Sequence, residues 1–197
     1  MLTAMGDVMR RCYEKGWITT RDGNVSLVKR DSSHLYITPA GVRKTIIHPE
    51  HIVKIPVKDG ALELKEGQNP SGELQMHWLL HKDFMKTRAV VHAHPTHVVA
   101  AMYRGFDLQK LANDFPEIFR YTRVGPSTPA VAAISQALAD NTHSCMGPLE
   151  DGKFQYDIVG QANHGVCAIA QDPWSAYEHI ERLNHICEIV LASGVEP

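Results

Sequence analysis

The run Val90-Val91-His92-Ala93-His94-Pro95 sets two imidazoles two residues apart in an apolar stretch. Side chains on a strand alternate between faces, so His92 and His94 point the same way. Pro95 turns the chain out just beyond them. Such a pair suits either a divalent metal or two hydrogen-bonded histidines at a strand end. A catalytic zinc takes three protein ligands and keeps one position open. Asn163-His164-Gly165 lies between two strand-like segments, and His164 is the best candidate for the third ligand, its glycine neighbour permitting close backbone approach. Glu73 follows the helix-start signal Asn69-Pro70-Ser71 and is the candidate base. A carboxylate there also serves simply as a partner of the helix dipole. The backbone N–H groups of Ser71 and Gly72 and the Ser71 hydroxyl suit a phosphate. A bound phosphate would repel Glu73 and turn it toward a metal.

The other reactive side chains fit chemistry less well. His77 and His81 have the helical spacing of a zincin but lack the Glu after the first His, so they are not expected as ligands. His97 falls on the helix after His94 and reads as support or packing. His48, His51, His179 and His185 read as solvated surface. Ser26 and Cys167 lack a G-x-S-x-G context, so covalent catalysis is not indicated. Cys12, Cys145, Cys167 and Cys187 form no C-x-x-C pair, which argues for reduced thiols in a cytoplasmic protein.

The elements that must place these residues follow from periodicity. Leu2, Met5, Met9, Cys12 and Tyr13 recur at helical spacing, with Gly16 as a stop. Asn24–Val28 alternates and Leu35–Thr38 reads as a second strand, with Lys29–Ser33 as the turn between them. Residues 51–55 and 61–64 read as another pair turning at Lys58-Asp59-Gly60. Leu74, Trp78, His81 and Met85 suggest a helix face, and residues 126–138 suggest a further helix. Residues 156–159 and 165–170 read as strands. Asp172-Pro173 caps a long helix with Ala176, Ile180, Leu183, Cys187 and Val190 on one face. Strands mixed with helices and joined in hairpins imply a three-layer α/β arrangement with a largely antiparallel sheet.

A chain of 197 residues without repeats or linkers reads as one domain. Hydrophobic residues make up 44% and charged residues 21%, which excludes general disorder. A formal charge of -2 is too balanced for nucleic-acid binding through the bulk field or for attraction to anionic membrane. No apolar run reaches the ~20 residues of a membrane span. The first residues carry acidic groups and no apolar h-region, against a signal peptide.

Four sets of residues, in this order, resemble the class II aldolase/adducin family. They are Asp22-Gly23-Asn24-Val25-Ser26, Ile37-Thr38-Pro39-Ala40-Gly41, Ser71-Gly72-Glu73 with Val90-Val91-His92-Ala93-His94, and Asn163-His164-Gly165. The resemblance implies an α/β/α three-layer sandwich around a mainly antiparallel sheet, spanning 1–197. It implies a homotetramer with active sites at subunit interfaces. It also implies Zn²⁺ held by His92, His94 and His164, with Glu73 as the catalytic acid/base and a metal ligand in the empty enzyme. Gly23, Asn24, Ala40, Gly41, Ser71 and Gly72 match segments that hold a substrate phosphate. The implied reaction cleaves a phosphorylated ketose to dihydroxyacetone phosphate and an aldehyde through a metal-stabilised enediolate. Glu73 favours the aldolase branch over the related epimerases, which carry Asp there, and over dehydratases that do not keep the Ser-x-Glu arrangement. Alternatives are an epimerase or decarboxylase using the same zinc chemistry, or a non-catalytic adducin-like binding module. Two departures stand out. Ala40 and Gly72 replace hydroxyl residues of the family's aldolases, and each lost hydrogen bond to a charged group is worth about 1.5–3 kcal/mol. Either the phosphate is held differently or the substrate differs. The family's proton-donating tyrosine comes from a neighbouring subunit. Tyr103 and Tyr121 fall in the right region, and neither is assigned.

Overall fold

The computed structural model of the protein describes residues 1–29, 33–82 and 88–197. Its helices are α1 (Leu2–Glu14), α2 (Leu74–Lys82), α3 (Thr96–Arg104), α4 (Leu108–Asp114), α5 (Pro116–Tyr121), α6 (Gln136–Cys145) and α7 (Pro173–Ser193). Its strands are β1 (Asn24–Val28), β2 (His34–Ile37), β3 (Val53–Lys58), β4 (Ala61–Leu62), β5 (Ala89–Ala93), β6 (Leu149–Glu150), β7 (Lys153–Phe154), β8 (Ile158–Gln161) and β9 (Gly165–Ala170). Seven strands form one sheet in the order β4-β3-β2-β1-β5-β9-β8. Every neighbouring pair runs antiparallel. β6 and β7 form a separate hairpin.

Strand alternation builds the layers. Ala89, Val91 and Ala93 of β5, with Val166 and Ala168 of β9, pack among residues of α1, α3 and α7. Val90, Cys167 and Ile169 point the other way, against Met76 and Leu80 of α2 and Ala139 of α6. Helices thus cover both faces of the sheet, which is the expected three-layer α/β sandwich. It explains why β1 is buried at all five positions rather than at alternate ones. His92 shares the parity of Val90 and faces the α2 layer.

Several local expectations hold. Gly16 follows α1 at φ 70°, the left-handed stop that favours glycine. Asp59 and Gly60 take φ of 49° and 75° and turn the β3–β4 hairpin. Asp172 caps α7 by accepting from the backbone N–H of Trp174 and Ser175.

Others are corrected. The helix expected at 126–138 begins only at Gln136, where Ser135 accepts from Leu138 N–H. Before it Val124 and Thr128 bridge to β8, a path that Pro126 and Pro129 accept, and Ala133-Ile134 then turn into the helix. α2 begins at Leu74 rather than beside Asn69, because Pro70 is held in a bridge to Pro39 and the Asn69 amide turns to Ala40 O. The buried face of α2 is Met76, His77, Leu80 and His81, rotated from the Leu74–Trp78 face. Tyr13 is exposed at 43%, off the apolar face of α1. α4, α5 and the β6–β7 hairpin carry no strong periodicity and were not expected. Residues 30–32 of the β1–β2 turn, and Met85, lie outside the described residues.

Candidate metal centre

Three strand ends meet at the site. Across β1 and β5 the register pairs Asn24 with His92. Across β5 and β9 it pairs Ala93 with Val166. His94 follows directly on β5, and its N–H donates to Trp17 O at 2.9 Å, tying it to the loop that leads into β1. His164 sits in the turn between β8 and β9, where Asn163 adopts φ 58°, a left-handed conformation that Asn tolerates. Gly165 matters for a packing reason. A Cβ there would stand 2.7 Å from His94 Cδ2 and closer still to Ala93 O.

The result is a triad. Ring centroids lie 4.8 Å apart for His92–His94, 4.8 Å for His92–His164 and 5.0 Å for His94–His164. One ligating atom from each ring falls within 4.8 Å of the others. Glu73 leans over them, with Oε2 3.3 Å from His92 Nε2 and Oε1 3.8 Å from His164 Nε2. His92 Nδ1–H donates to Val166 O at 2.9 Å, which fixes its tautomer and leaves Nε2 bare. That lone pair faces His94 Nε2 at 3.0 Å. Two ring nitrogens at this distance need a proton or a cation between them. Nitrogens bound at about 2.0–2.1 Å to one tetrahedral zinc lie little farther apart than this, so the donor set fits such a metal.

Electrostatics favours neutral ligands. Burial, then the charge of His164, pulls His92 down to about 3. Burial, then the charge of His92, brings His94 to about 4. Burial also lowers His164, against the opposing pull of Glu73.

Beneath the triad runs a directional hydrogen-bond chain. A carboxylate only accepts, so Asn24 Nδ2 donates to Glu73 Oε2, at 3.2 Å. Asn24 Oδ1 therefore accepts from His77 Nε2–H. His77 Nδ1 then accepts from the Ser26 hydroxyl at 2.6 Å, and Ser26 Oγ accepts from His81 Nε2–H at 2.7 Å. His77 and His81 are thus absorbed into support, and burial holds His77 well below its ordinary value. The resemblance implies Asn24 as a phosphate-binding residue; it lines the cavity, with its amide also bonded to Glu73 and His77.

A cavity of about 270 Å³ opens above, lined by every residue named for the site from sequence. Residues 38–41 and 69–73 are stapled side by side, Ala40 N–H donating to Asn69 O and Ser71 N–H to Thr38 O, both at 3.0 Å. The Ser71 amide is therefore engaged, contrary to the sequence reading. Gly72 packs beneath Ile134, whose Cδ1 would lie 3.0 Å from a Cβ at 72. Ile134 is a β-branched residue at φ 59°, a strained backbone at the cavity mouth. Ile134, Arg21, Asp22 and Lys44 line the cavity without having been singled out as site residues. Only Asp22 had a signal, as the first residue of its motif. His179, expected at the surface, is partly buried and hydrogen-bonded to Thr122 Oγ1 at 2.9 Å. His97 holds Asn184 and stays out of the triad.

Residues 3–191 match the family described as "Class II Aldolase and Adducin N-terminal domain". The chain belongs to the class II aldolase and adducin family. It is 26% identical over 177 residues to an L-fuculose phosphate aldolase of Methanococcus maripaludis, covering 90% of this chain and 88% of that protein. It is 24% identical over 185 residues to a 3-oxo-tetronate 4-phosphate decarboxylase of Pectobacterium atrosepticum, covering 92% and 79%. A methylthioribulose-1-phosphate dehydratase of Yersinia pestis is 27% identical over 118 residues, and the match spans about half of each chain, 54% and 52%. In fold, this family member superposes on a sugar-phosphate aldolase from Thermotoga maritima with a TM-score of 0.81 at 22% identity, over 100% of this chain and 97% of that one. Among the described residues no helix is long and apolar enough to cross a membrane.

Proposed function

We propose that this family member is a zinc-dependent lyase that cleaves a phosphorylated ketose of the L-fuculose-1-phosphate kind into dihydroxyacetone phosphate and an aldehyde. One observation carries this reading: His92, His94 and His164 converge on one point with the Glu73 carboxylate beside them. Zinc bound to three neutral imidazoles keeps its full charge and acts as a Lewis acid toward a carbonyl oxygen. The chain's own groups do the rest. The C3–C4 bond breaks, its electron pair moves toward the C2 carbonyl, and the Glu73 carboxylate takes the proton of the C4 hydroxyl as the aldehyde forms. Glu73 then gives C3 the proton that completes dihydroxyacetone phosphate, and in the reverse direction removes it. Asn24, locked by His77, orients the Glu73 carboxylate. Gly23, Ala40, Gly41, Ser71 and Gly72 shape the wall that takes the phosphate and fixes the register of C2 and C3. Neither Tyr103 nor Tyr121 lines this chain's own cavity. They are 80% and 55% exposed, which suits presentation to a neighbour in a homotetramer with shared sites. The chain is read as one cytoplasmic domain over 1–197.

The test is a panel of ketose 1-phosphates given to zinc-loaded protein, with dihydroxyacetone phosphate as the readout. Chelation should abolish its production and zinc restore it. Glu73→Gln should keep zinc on the histidines and slow turnover by about 10²–10⁴-fold, the usual weight of a positioned acid/base. An unaffected rate removes Glu73 from the mechanism. The decarboxylase relative, matched over 92% of this chain, supports a second reading in which the same site releases carbon dioxide. Product analysis separates the two, and an epimer would indicate the third branch.

A further inference from the structure

Among the described residues, Lys44 is the only lysine or arginine in the buried interior, at 2% exposure. It opens a short 3₁₀ turn, Lys44–Ile46, separated from Ala40-Gly41 by two residues, and its N–H is anchored to Thr20 O at 2.8 Å. Its Nζ donates to Pro39 O at 3.2 Å, its one hydrogen-bond partner among the described residues. An ammonium carries three donors, and an unmatched buried charge is expensive. Burial pulls the Lys44 ammonium below the ordinary lysine value, against the opposing charge of Asp22, which forms no ion pair with it among the described residues. Lys44 lines the same cavity as Gly41, Ser71 and Gly72. Besides the exposed Arg21, that wall has lost several of its hydroxyl and amide donors. Positions 40 and 72 carry no hydroxyl, and the amides of Ala40 and Ser71 are committed to Asn69 O and Thr38 O.

We propose that Lys44 is a specificity-determining residue whose ammonium binds the phosphate monoester of the substrate and so selects phosphorylated over free ketoses. The proposal rests on the reading of the substrate as a ketose phosphate. Lys44 supplies charge where hydroxyls are missing, and the phosphate supplies the anion that its burial lacks.

Calorimetric titration of the zinc-loaded protein with inorganic phosphate tests this without turnover. Lys44→Met and Lys44→Gln should each weaken phosphate binding by roughly tenfold to a hundredfold, the weight of one charged hydrogen bond. Lys44→Gln retains a donor for Pro39 O, so it reports on charge even if Lys44→Met does not fold. Both should lower the ratio of kcat/KM for the ketose phosphate over that for the free ketose by a similar factor. Phosphate affinity unchanged in the variants, absent in the wild type, or an unchanged ratio overturns the proposal. A wild type that binds phosphate through Lys44 but cleaves no ketose phosphate overturns the reading of the reaction and leaves the assignment of Lys44 standing.

Discussion

Replacing Gly165 by alanine tests whether the triad depends on the close approach of β9 to the end of β5. Its backbone does not need a positive φ, so the substitution acts through space alone. The added Cβ would meet His94 Cδ2 at 2.7 Å, whereas ordinary contact begins near 3.4 Å, so about 0.7 Å must be found. The His94 ring can swing, but the backbone carbonyl of Ala93 is also too close and belongs to a paired strand. Separating the strands there moves Val166, whose carbonyl holds the tautomer of His92. It also moves His164, the preceding residue. One methyl group therefore perturbs all three imidazoles. Loss of outer support for a metal ligand typically costs about 10–100-fold in affinity, and we expect Gly165→Ala to fall in that range. Competition between the protein and a chromophoric chelator measures it directly. The reasoning is refuted if the variant melts at a lower temperature yet binds zinc within threefold of the wild type. Such a result would mean that the strand separates without moving the rings.

Three further outcomes follow from the same geometry. His92 and His94 titrate at about 3 and about 4 in the fold against 6.5 ordinarily, so the folded state resists their protonation. Stability from this source is full above pH 6.5 and falls as the pH drops through 4 toward 3, because the unfolded chain then binds more protons. Thermal melts of metal-free protein should show that slope, and His92→Gln should flatten it. Ser26→Ala removes the hydroxyl shared by His77 and His81 and should cost about 1–3 kcal/mol in urea unfolding. Freed of that restraint, Asn24 should let kcat fall more than zinc affinity does. Gly72→Ser places its Cβ 3.0 Å from Ile134 Cδ1, the far end of a flexible side chain that can give way. The restored hydroxyl should tighten inorganic phosphate by roughly tenfold, in line with one hydrogen bond to a charged group. Weaker binding would show that Ile134 holds the wall rigidly.

What could be read from sequence divides by the range of the interaction that decides it. His92 and His94 were legible because strand periodicity is a local rule, and β5 obeys it. His164 needed either the resemblance or the register that pairs Ala93 with Val166, since no local signal joins it to the other two. The long helix α7 was legible from its Asp-Pro cap and its apolar stripe. The face of α2 was not, because Ser26 on the sheet draws His77 and His81 inward against their polarity. The stretch before α6 is decided the same way: Val124 and Thr128 bridge to β8, and the chain turns at Ala133-Ile134 before the helix starts. Lys44 is the extreme case. Lysine is among the residues least expected inside, and its burial here is set by tertiary partners, Thr20 O on its N–H and Pro39 O on its ammonium. The three histidines lie on strand ends fixed by apolar packing on both faces, so their order survives in the pattern of the chain. The wall proposed to take the phosphate is made of loops held by a few backbone bonds. There a chain can exchange a hydroxyl for an ammonium without disturbing a strand, and so the substrate-facing half of the site is the part that sequence reading places least well.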